Sequence, residues 1–545
     1  MSPETKPVLV AGAGPTGMTA AMELARLGVP VRLIEKTAEP ATTSRAIGVQ
    51  ARTLELLEQR GLAERFVQAG VRCVAGSIYF SRHGSGRRVF RLEFSHIDSR
   101  YNYILFISQA ETERILRERL AKDGVTIERP VEMVALAQRE QSTGVTVALR
   151  HSGGSIEEVE ASYLICAEGA QSIVRSTLGL EFRGKEFSET YMLGDFYADS
   201  NLLETDFHIF SSDYGFLALF PLGRGRFRLI ASNPLSEPRE DTAPGLEELQ
   251  DVYDMRSYIP ARFHDMTWSS WFRIHSRMIE RLQQKRIFLG GDAAHIHSPA
   301  GAQGMNTGIQ DMINLCWKLA MVMQGKASER LLATYDEDRI PVIRGVLTRT
   351  EGLTHAIGSE NVVLRTIFNH VAPLIVDTEV VKDKSTAQMS QIYLNYQESP
   401  LSETHGHQGH LCGGDRIPDM TVRALKMEFG HESKESARLF SLLDPSGLTL
   451  LHVNADGPAW LEASVQSKLA AWRGLMNHWR IAPVESDPAE RRHFVDNFGP
   501  EPALVLVRPD SYIGFIGTSE SAADRLAVYL DKWFRPVIDN REESD

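Results

Sequence analysis

The chain has 545 residues, 43% of them hydrophobic and 24% charged, a composition that excludes a disordered or fibrous protein. A single core rarely grows past roughly 250–300 residues, so two or three domains are expected. The 59 basic and 71 acidic side chains give a net charge of −12, which argues against nucleic acid or an anionic membrane as a partner.

Met1–Pro7 lacks the pattern of a signal peptide. No apolar run approaches the roughly 18 residues of a membrane-spanning helix. Four scattered cysteines, Cys73, Cys166, Cys316 and Cys412, have no metal-ligand spacing. The expectation is a soluble cytoplasmic protein with no metal site.

Pro7–Ala11 is a short apolar run ending in glycines, the mark of a buried parallel strand. Thr16–Leu27 places Met18, Ala21, Met22 and Ala25 at helical spacing before Gly28. Val31–Ile34 is the next strand, so the chain opens with a βαβ unit. Gly12, Gly14 and Gly17 fall between the first strand and the helix, with Pro15 inside the turn. Gly12 permits the turn, Gly14 lets a pyrophosphate approach the backbone, and Gly17 lets helix and strand pack closely. Glu35, followed by Lys36, ends the second strand and is placed to accept from a ribose; its charge disfavours a 2′-phosphate. FAD or NAD therefore fits this site better than NADP.

Mixed signals follow to about residue 180. Between 181 and 280 the runs Asp206–Phe210, Gly215–Phe220 and Arg226–Ile230 are aromatic and alternating, with a turn at Pro221–Gly225, and imply a mostly antiparallel sheet. Arg286–Gly291 restores the buried-strand signature. A helix is expected from about Thr307 to Val322 and helical structure over 330–395. Ser399–Arg416 reads as a linker or domain edge, and the remainder as a small α/β domain.

Gly290-Gly291-Asp292-Ala293-Ala294-His295 follows that strand, and Pro299–Asn306 leads into the helix. A carboxylate at a strand end can bond ribityl hydroxyls, and a helix N-terminus favours negative charge on a reduced flavin. NAD has no ribityl chain, so this second segment selects FAD. His295 and His297 flank the acid without the further ligands a metal would need.

The stretches AGAGPTGMTAAMELARLGVPVRLIEK, SRAIGVQARTLELLEQRGL, GDAAHIHSPAGAQGMNTGIQDMINLCWKLA and LVRPDSYIGF span residues 8 to 515. Through them the chain resembles the FAD-dependent aromatic hydroxylases, the class A flavoprotein monooxygenases that include para-hydroxybenzoate hydroxylase and phenol hydroxylase. The resemblance implies an α/β fold: a Rossmann-like FAD-binding domain from 1–180 and 281–400, the latter with a helical region, an inserted substrate-binding β-sheet domain at 181–280, and a thioredoxin-like C-terminal domain at 401–545 without C-x-x-C. It implies that NAD(P)H supplies electrons and that a C4a-hydroperoxyflavin formed with O₂ hydroxylates an aromatic, phenolic or polyketide-like substrate. A homodimer is left open.

Residue by residue, the resemblance gives Gly12, Gly14, Pro15 and Gly17 to the pyrophosphate and Glu35 and Lys36 to the ribose. Arg45 and Gln109 would contact FAD, the alternatives being a helix-flanking charge and a helix cap. Asp292 would bind the flavin, and Pro299, Gly301, Gly304, Met305 and Asn306 would line its ring. His208 and Tyr214 are the catalytic candidates, with Asp213, Tyr101 and Tyr103 behind them; packing in a strand is the alternative for each. Two departures stand out. Glu168-Gly169, with Arg175 following, replaces the family's Asp-Gly, and Ile47 stands where phenol hydroxylase has an acid. A Baeyer–Villiger or epoxidising oxygenase and a non-catalytic flavin-binding protein are the competing readings. The W-x-W-x-I-P pattern of tryptophan halogenases is not matched by Trp268–Arg273.

Overall fold

The first strand, Val8–Ala11, is buried at all four residues, as an unbroken apolar run requires when both faces of a parallel sheet are covered. This computed structural model describes residues 6–40, 46–82, 85–138, 144–212, 214–232, 242–298, 301–358, 386–406, 409–427, 433–454, 465, 467–518 and 521–536. Arg45, Asp213 and Pro299 lie outside them. Val8–Ala11 pairs in parallel with Val31–Ile34 and with Tyr163–Cys166, and Ile287–Leu289 continues beyond the latter. One six-stranded sheet thus joins the two ends of the expected nucleotide domain. The helices Pro15–Arg26 and Gly304–Met323 extend the expected ones by a few residues at most. They meet beside the central strands.

The second sheet has eight strands, mostly antiparallel, as the alternating aromatic runs imply. Two strands, Arg183–Ser200 and Ala261–Met278, run 18 residues each. The expected turn narrows to Arg224 and Gly225, both at positive φ. The sheet does not stop at residues 181–280. Asp206–Ser212 pairs in parallel with Ala75–Arg82, which pairs with Ser85–Glu93, and His295–Ile296 joins the far edge.

Both faces of this sheet are covered. Helix Leu246–Arg256 lies on one, against Met192, Phe210, Leu217, Leu219 and Leu229. The other carries Tyr191, Leu193, Ile230 and Ile274 with Phe216, Phe220 and Phe272. Phe207, Ile209 and Phe220 on that face also pack into the core of the nucleotide domain.

Helix Arg330–Gly358 bears out the helical reading to residue 358. The expected linker holds a short edge strand, Glu403–His405, added in parallel to Ile513–Gly517. The last sheet has seven strands, with Leu448–Val453 parallel to Met476–Pro483 and antiparallel to Ala503–Val507. No described helix is long and apolar enough to cross a membrane.

His452 and His478 sit buried on neighbouring strands of this sheet, ring centroids 5.8 Å apart. Neither Nε2 has a hydrogen-bond partner among the described residues. Burial holds His452 down to about 3 and His478 to about 4, with nearby positive charge adding to it. Both are therefore neutral in the fold. Below the ordinary value of 6.5 the unfolded chain takes up protons that the fold refuses, so stability falls as pH falls. The slope approaches about 1.4 kcal/mol per pH unit for each histidine. Denaturant unfolding at pH 7, 6 and 5 should show a shallower loss for His452→Leu than for the wild type; identical slopes would remove the histidines from the account.

Candidate flavin site and active centre

The glycine turn after the first strand is shaped by backbone contacts. Gly12 has φ +102°, and a β-carbon there would stand 2.3 Å from the Ala167 carbonyl oxygen. A β-carbon at Gly17 would stand 1.8 Å from the Gly12 carbonyl oxygen. At Gly14 a β-carbon would meet nothing within 4 Å, so this backbone is open at the N-terminus of helix Pro15–Arg26, where amide groups and the helix dipole attract a phosphate. Glu35 accepts from the Ala13 amide at 2.8 Å and from the Thr37 amide and hydroxyl at 3.0 Å. It thereby fixes the turn as well as ending the strand. Lys36 beside it is exposed.

The second glycine segment arrives at the same place. A β-carbon at Gly291 would stand 2.5 Å from the Thr16 hydroxyl, and one at Gly308 would stand 2.4 Å from the same oxygen. Thr16 is thus wedged between two glycines nearly 300 residues further along the chain. Asp292 lies exposed in the turn Gly291–Ala293. Behind it, Asp311 accepts from the Gly291 amide at 3.1 Å, from His295 Nε2 at 2.7 Å and from Arg339 Nε at 2.8 Å. Burial would raise the Asp311 carboxyl, but Arg339 and His295 outweigh it and hold it at about 2.

Asn306 is buried at the start of the long helix. Its Oδ1 accepts from the Gln50 amide at 2.9 Å, and its Nδ2 donates to the Gly48 and Ala302 carbonyls at 2.9 and 2.8 Å. Gln50 Nε2 donates to the Gly301 carbonyl at 2.9 Å. Gly301, Gly304 and Met305 stand around this knot. The His297 ring lies within 3.3 Å of where a Gly304 β-carbon would be. Burial, and His295 beside it, lower His297 to about 4. Gln50 Oε1, Gln303 Oε1 and His297 Nε2 are buried without a hydrogen-bond partner among the described residues. Such orphaned polar atoms fit a ligand with a polar edge, as a flavin ring has.

Gln109 opens helix Gln109–Lys122, where Ser108 is the cap and Gln109 Nε2 donates to Glu113 at 2.9 Å. Glu168 accepts from the Ser172 hydroxyl at 2.7 Å, and burial raises its carboxyl. Arg175 ties this loop to the Asp292 turn, donating to the carbonyls of Ala170 at 2.6 Å and Ala293 at 3.1 Å.

The two catalytic candidates are not brought to this place. His208 alternates with Phe207 and Ile209, which face the nucleotide domain, so it points to the side of helix Leu246–Arg256. Its Nε2 donates to the Leu203 carbonyl at 2.9 Å, and Nδ1 lies 3.1 Å from the Tyr79 hydroxyl. Burial lowers its pKa. Tyr214 is 47% exposed at the tip of a hairpin. Tyr101 and Tyr103 are buried against each other, centroids 6.2 Å apart.

Residues 5–350 match the FAD-binding-domain family, and residues 410–536 match the aromatic-ring hydroxylase C-terminal family. The chain belongs to the FAD-dependent aromatic-ring hydroxylases. The hydroxylase is 34% identical over 527 residues to 6-methylpretetramide 4-monooxygenase of Streptomyces rimosus, covering 94% of this chain and 90% of the relative. It is 36% identical to rifampicin monooxygenase of Streptomyces venezuelae, over 97% and 98% of the two chains. The solved anhydrotetracycline hydroxylase of Streptomyces rimosus superposes with TM-score 0.76 at 29% identity, covering 98% of this chain and all of that one. This hydroxylase is accordingly a flavoprotein monooxygenase that binds FAD and acts on an aromatic compound. Thr16, Gln50, Gly308 and Asp311 escaped the reading from sequence. Only Gly308, a glycine inside a strong helix, left a signal there.

Proposed function

We propose that the enzyme takes electrons from NAD(P)H and uses O₂ to hydroxylate a fused-ring, phenolic or polyketide-like molecule in the cytoplasm. The observation that carries this reading is the convergence of the two glycine segments at Thr16, beside a sheet face rich in aromatic side chains. FAD, when bound, supplies the redox chemistry that passes electrons to O₂. Gly12, Gly14, Pro15 and Gly17 hold its pyrophosphate, and Glu35 and Lys36 its ribose. Asp292 and Gln109 hold the flavin half, with Gly301, Gly304, Met305 and Asn306 against the ring. Arg45 and Pro299 join them by family resemblance. Phe216, Phe220 and Phe272 give a flat ring an apolar surface that excludes water. Relatives named for 6-methylpretetramide and for rifampicin support a large substrate.

The test is purification of the yellow protein, followed by a screen of polycyclic phenols for stimulated NAD(P)H oxidation and for a product heavier by one oxygen. Oxidation that no aromatic compound stimulates would overturn the substrate reading, and insertion of oxygen into a ring C–C bond would convert it to a Baeyer–Villiger reaction. Asp292→Ala should bind FAD about tenfold more weakly, the worth of one charge-assisted hydrogen bond. The ratio of flavin to protein absorbance after gel filtration reads this directly, and undiminished retention would remove Asp292 from the flavin site.

A further inference from the structure

The flavin-side face of the eight-stranded sheet carries a charged row through its aromatic surface. Phe220, Arg228, Asp195 and Trp268 stand in register across four adjacent strands. Phe220 packs against Phe106, centroids 5.4 Å apart, and Phe106 is the strand partner of Gly48, whose carbonyl Asn306 holds. The row therefore begins beside the residues assigned to the flavin ring.

Arg228 is 1% exposed. Its Nε donates to Asp195 Oδ1 at 2.6 Å and its Nη2 to Asp195 Oδ2 at 2.7 Å. The Trp268 ring lies 5.5 Å from the guanidinium carbon. The third nitrogen, Nη1, is buried with no hydrogen-bond partner among the described residues. A purely structural ion pair loses stability by leaving two N–H groups unsatisfied, and buried guanidinium groups ordinarily satisfy them.

We infer that Arg228 Nη1 anchors an oxygen at the edge of the aromatic substrate, and that this oxygen is neutral, a ketone or quinone carbonyl. The inference rests on the proposed function and deepens it. Asp195 already neutralises the guanidinium, so the site offers donors without net positive charge. A carbonyl is matched by that arrangement; a carboxylate would bring an uncompensated charge into a buried aromatic face. The rings of the substrate lie along Phe220, Trp268 and Ile230, and the anchor fixes which carbon faces the flavin.

The test uses the FAD-loaded full chain with oxidised flavin and three planar probes: 9-fluorenone, fluorene and 9-fluorenone-2-carboxylate. Binding is read from perturbation of the flavin spectrum. The wild type should bind fluorenone about tenfold more tightly than fluorene, one hydrogen bond from a charged donor, and should bind the carboxylate more weakly than fluorenone. Arg228→Lys should erase the preference, because a single ammonium engaged by Asp195 has no second fork to offer. The double variant Arg228→Met/Asp195→Leu removes both charges and should likewise bind the ketone and the hydrocarbon equally. Equal binding by the wild type, absence of fluorenone binding by FAD-loaded protein, tightest binding of the carboxylate, or a preference that survives in both variants would overturn the inference. A wild-type protein that holds no FAD would instead overturn the function on which it rests.

Discussion

Asp338→Ala is expected to lower the unfolding free energy by about 3–5 kcal/mol, the cost of stripping one partner from a buried ion pair. Asp338 Oδ2 accepts from Lys318 Nζ at 2.7 Å, Arg508 Nη2 at 2.7 Å and Asn314 Nδ2 at 2.9 Å, all of them buried. Burial opposes the charge, but Arg508 and Lys318 keep the carboxyl well below its usual range. Without it Arg508 retains Asp510, at 2.6 Å, whereas Lys318 keeps, as a hydrogen-bond partner among the described residues, the Asn314 side chain. Lys318 is already lowered to about 8, chiefly by burial. In the variant it escapes part of the penalty by losing its proton. The deficit should accordingly be largest on the acid side and narrow as pH rises through about 8, where the wild-type lysine also gives up its proton. Urea unfolding at pH 7 and pH 9.5 measures both statements. A loss under about 1 kcal/mol, the scale of exposed pairs, would show that the cluster is relaxed by water.

Gly14→Ala and Gly17→Ala should both weaken FAD binding by at least about tenfold, for different reasons that calorimetry can separate. At Gly17 the new methyl would collide with the Gly12 carbonyl at 1.8 Å, backbone against backbone. Helix and strand must then part, and overpacking of this kind costs roughly 1–3 kcal/mol even without ligand. At Gly14 the methyl meets no protein atom within 4 Å. The apoprotein should therefore unfold at the wild-type temperature or slightly above, since alanine restricts the unfolded chain. Its methyl would stand where a pyrophosphate must approach. Titration of each apoprotein with FAD, beside thermal unfolding without it, gives the two readouts. Full FAD affinity in Gly14→Ala would place the pyrophosphate elsewhere.

The parts of this protein that were legible in advance are those written locally. A strand, a glycine turn and a helix stand in sequence around Gly12–Gly17, and again around Gly290–Asn306, so each announces itself without help from distant residues. The meeting of the two at Thr16 is not local, and no periodicity encodes it. The sheet hid more. Asp206-Phe207-His208-Ile209-Phe210 has aromatic residues on both faces because both faces are buried, one under helix Leu246–Arg256 and one against the nucleotide domain. Alternation therefore does not separate a buried face from an exposed one here, and the cue that would have turned His208 away from the flavin is missing. In the sequence Arg228 reads as an ordinary member of an alternating strand. Its partner Asp195 lies 33 positions earlier, with two strands between them in the chain. The parallel pairing of Asp206–Ser212 with Ala75–Arg82 likewise crosses a boundary that composition alone drew at residue 181.

The charged cluster around Asp338 has a bearing on engineering. Arg508, Asp510 and Tyr512 come from the hairpin after Ala503–Val507, yet their partners Arg52, Asn314, Trp317 and Asp338 belong to the nucleotide domain. A chimaera that grafts the last quarter of a relative onto this scaffold would inherit half of a lock. Removing that quarter outright would strip Arg52 and Asp338 of partners where helices Gly304–Met323 and Arg330–Gly358 meet. Grafts that carry positions 52, 314, 317, 318 and 338 along with 508 and 510 keep the lock whole, and those seven positions mark where recombination between relatives has to respect the join.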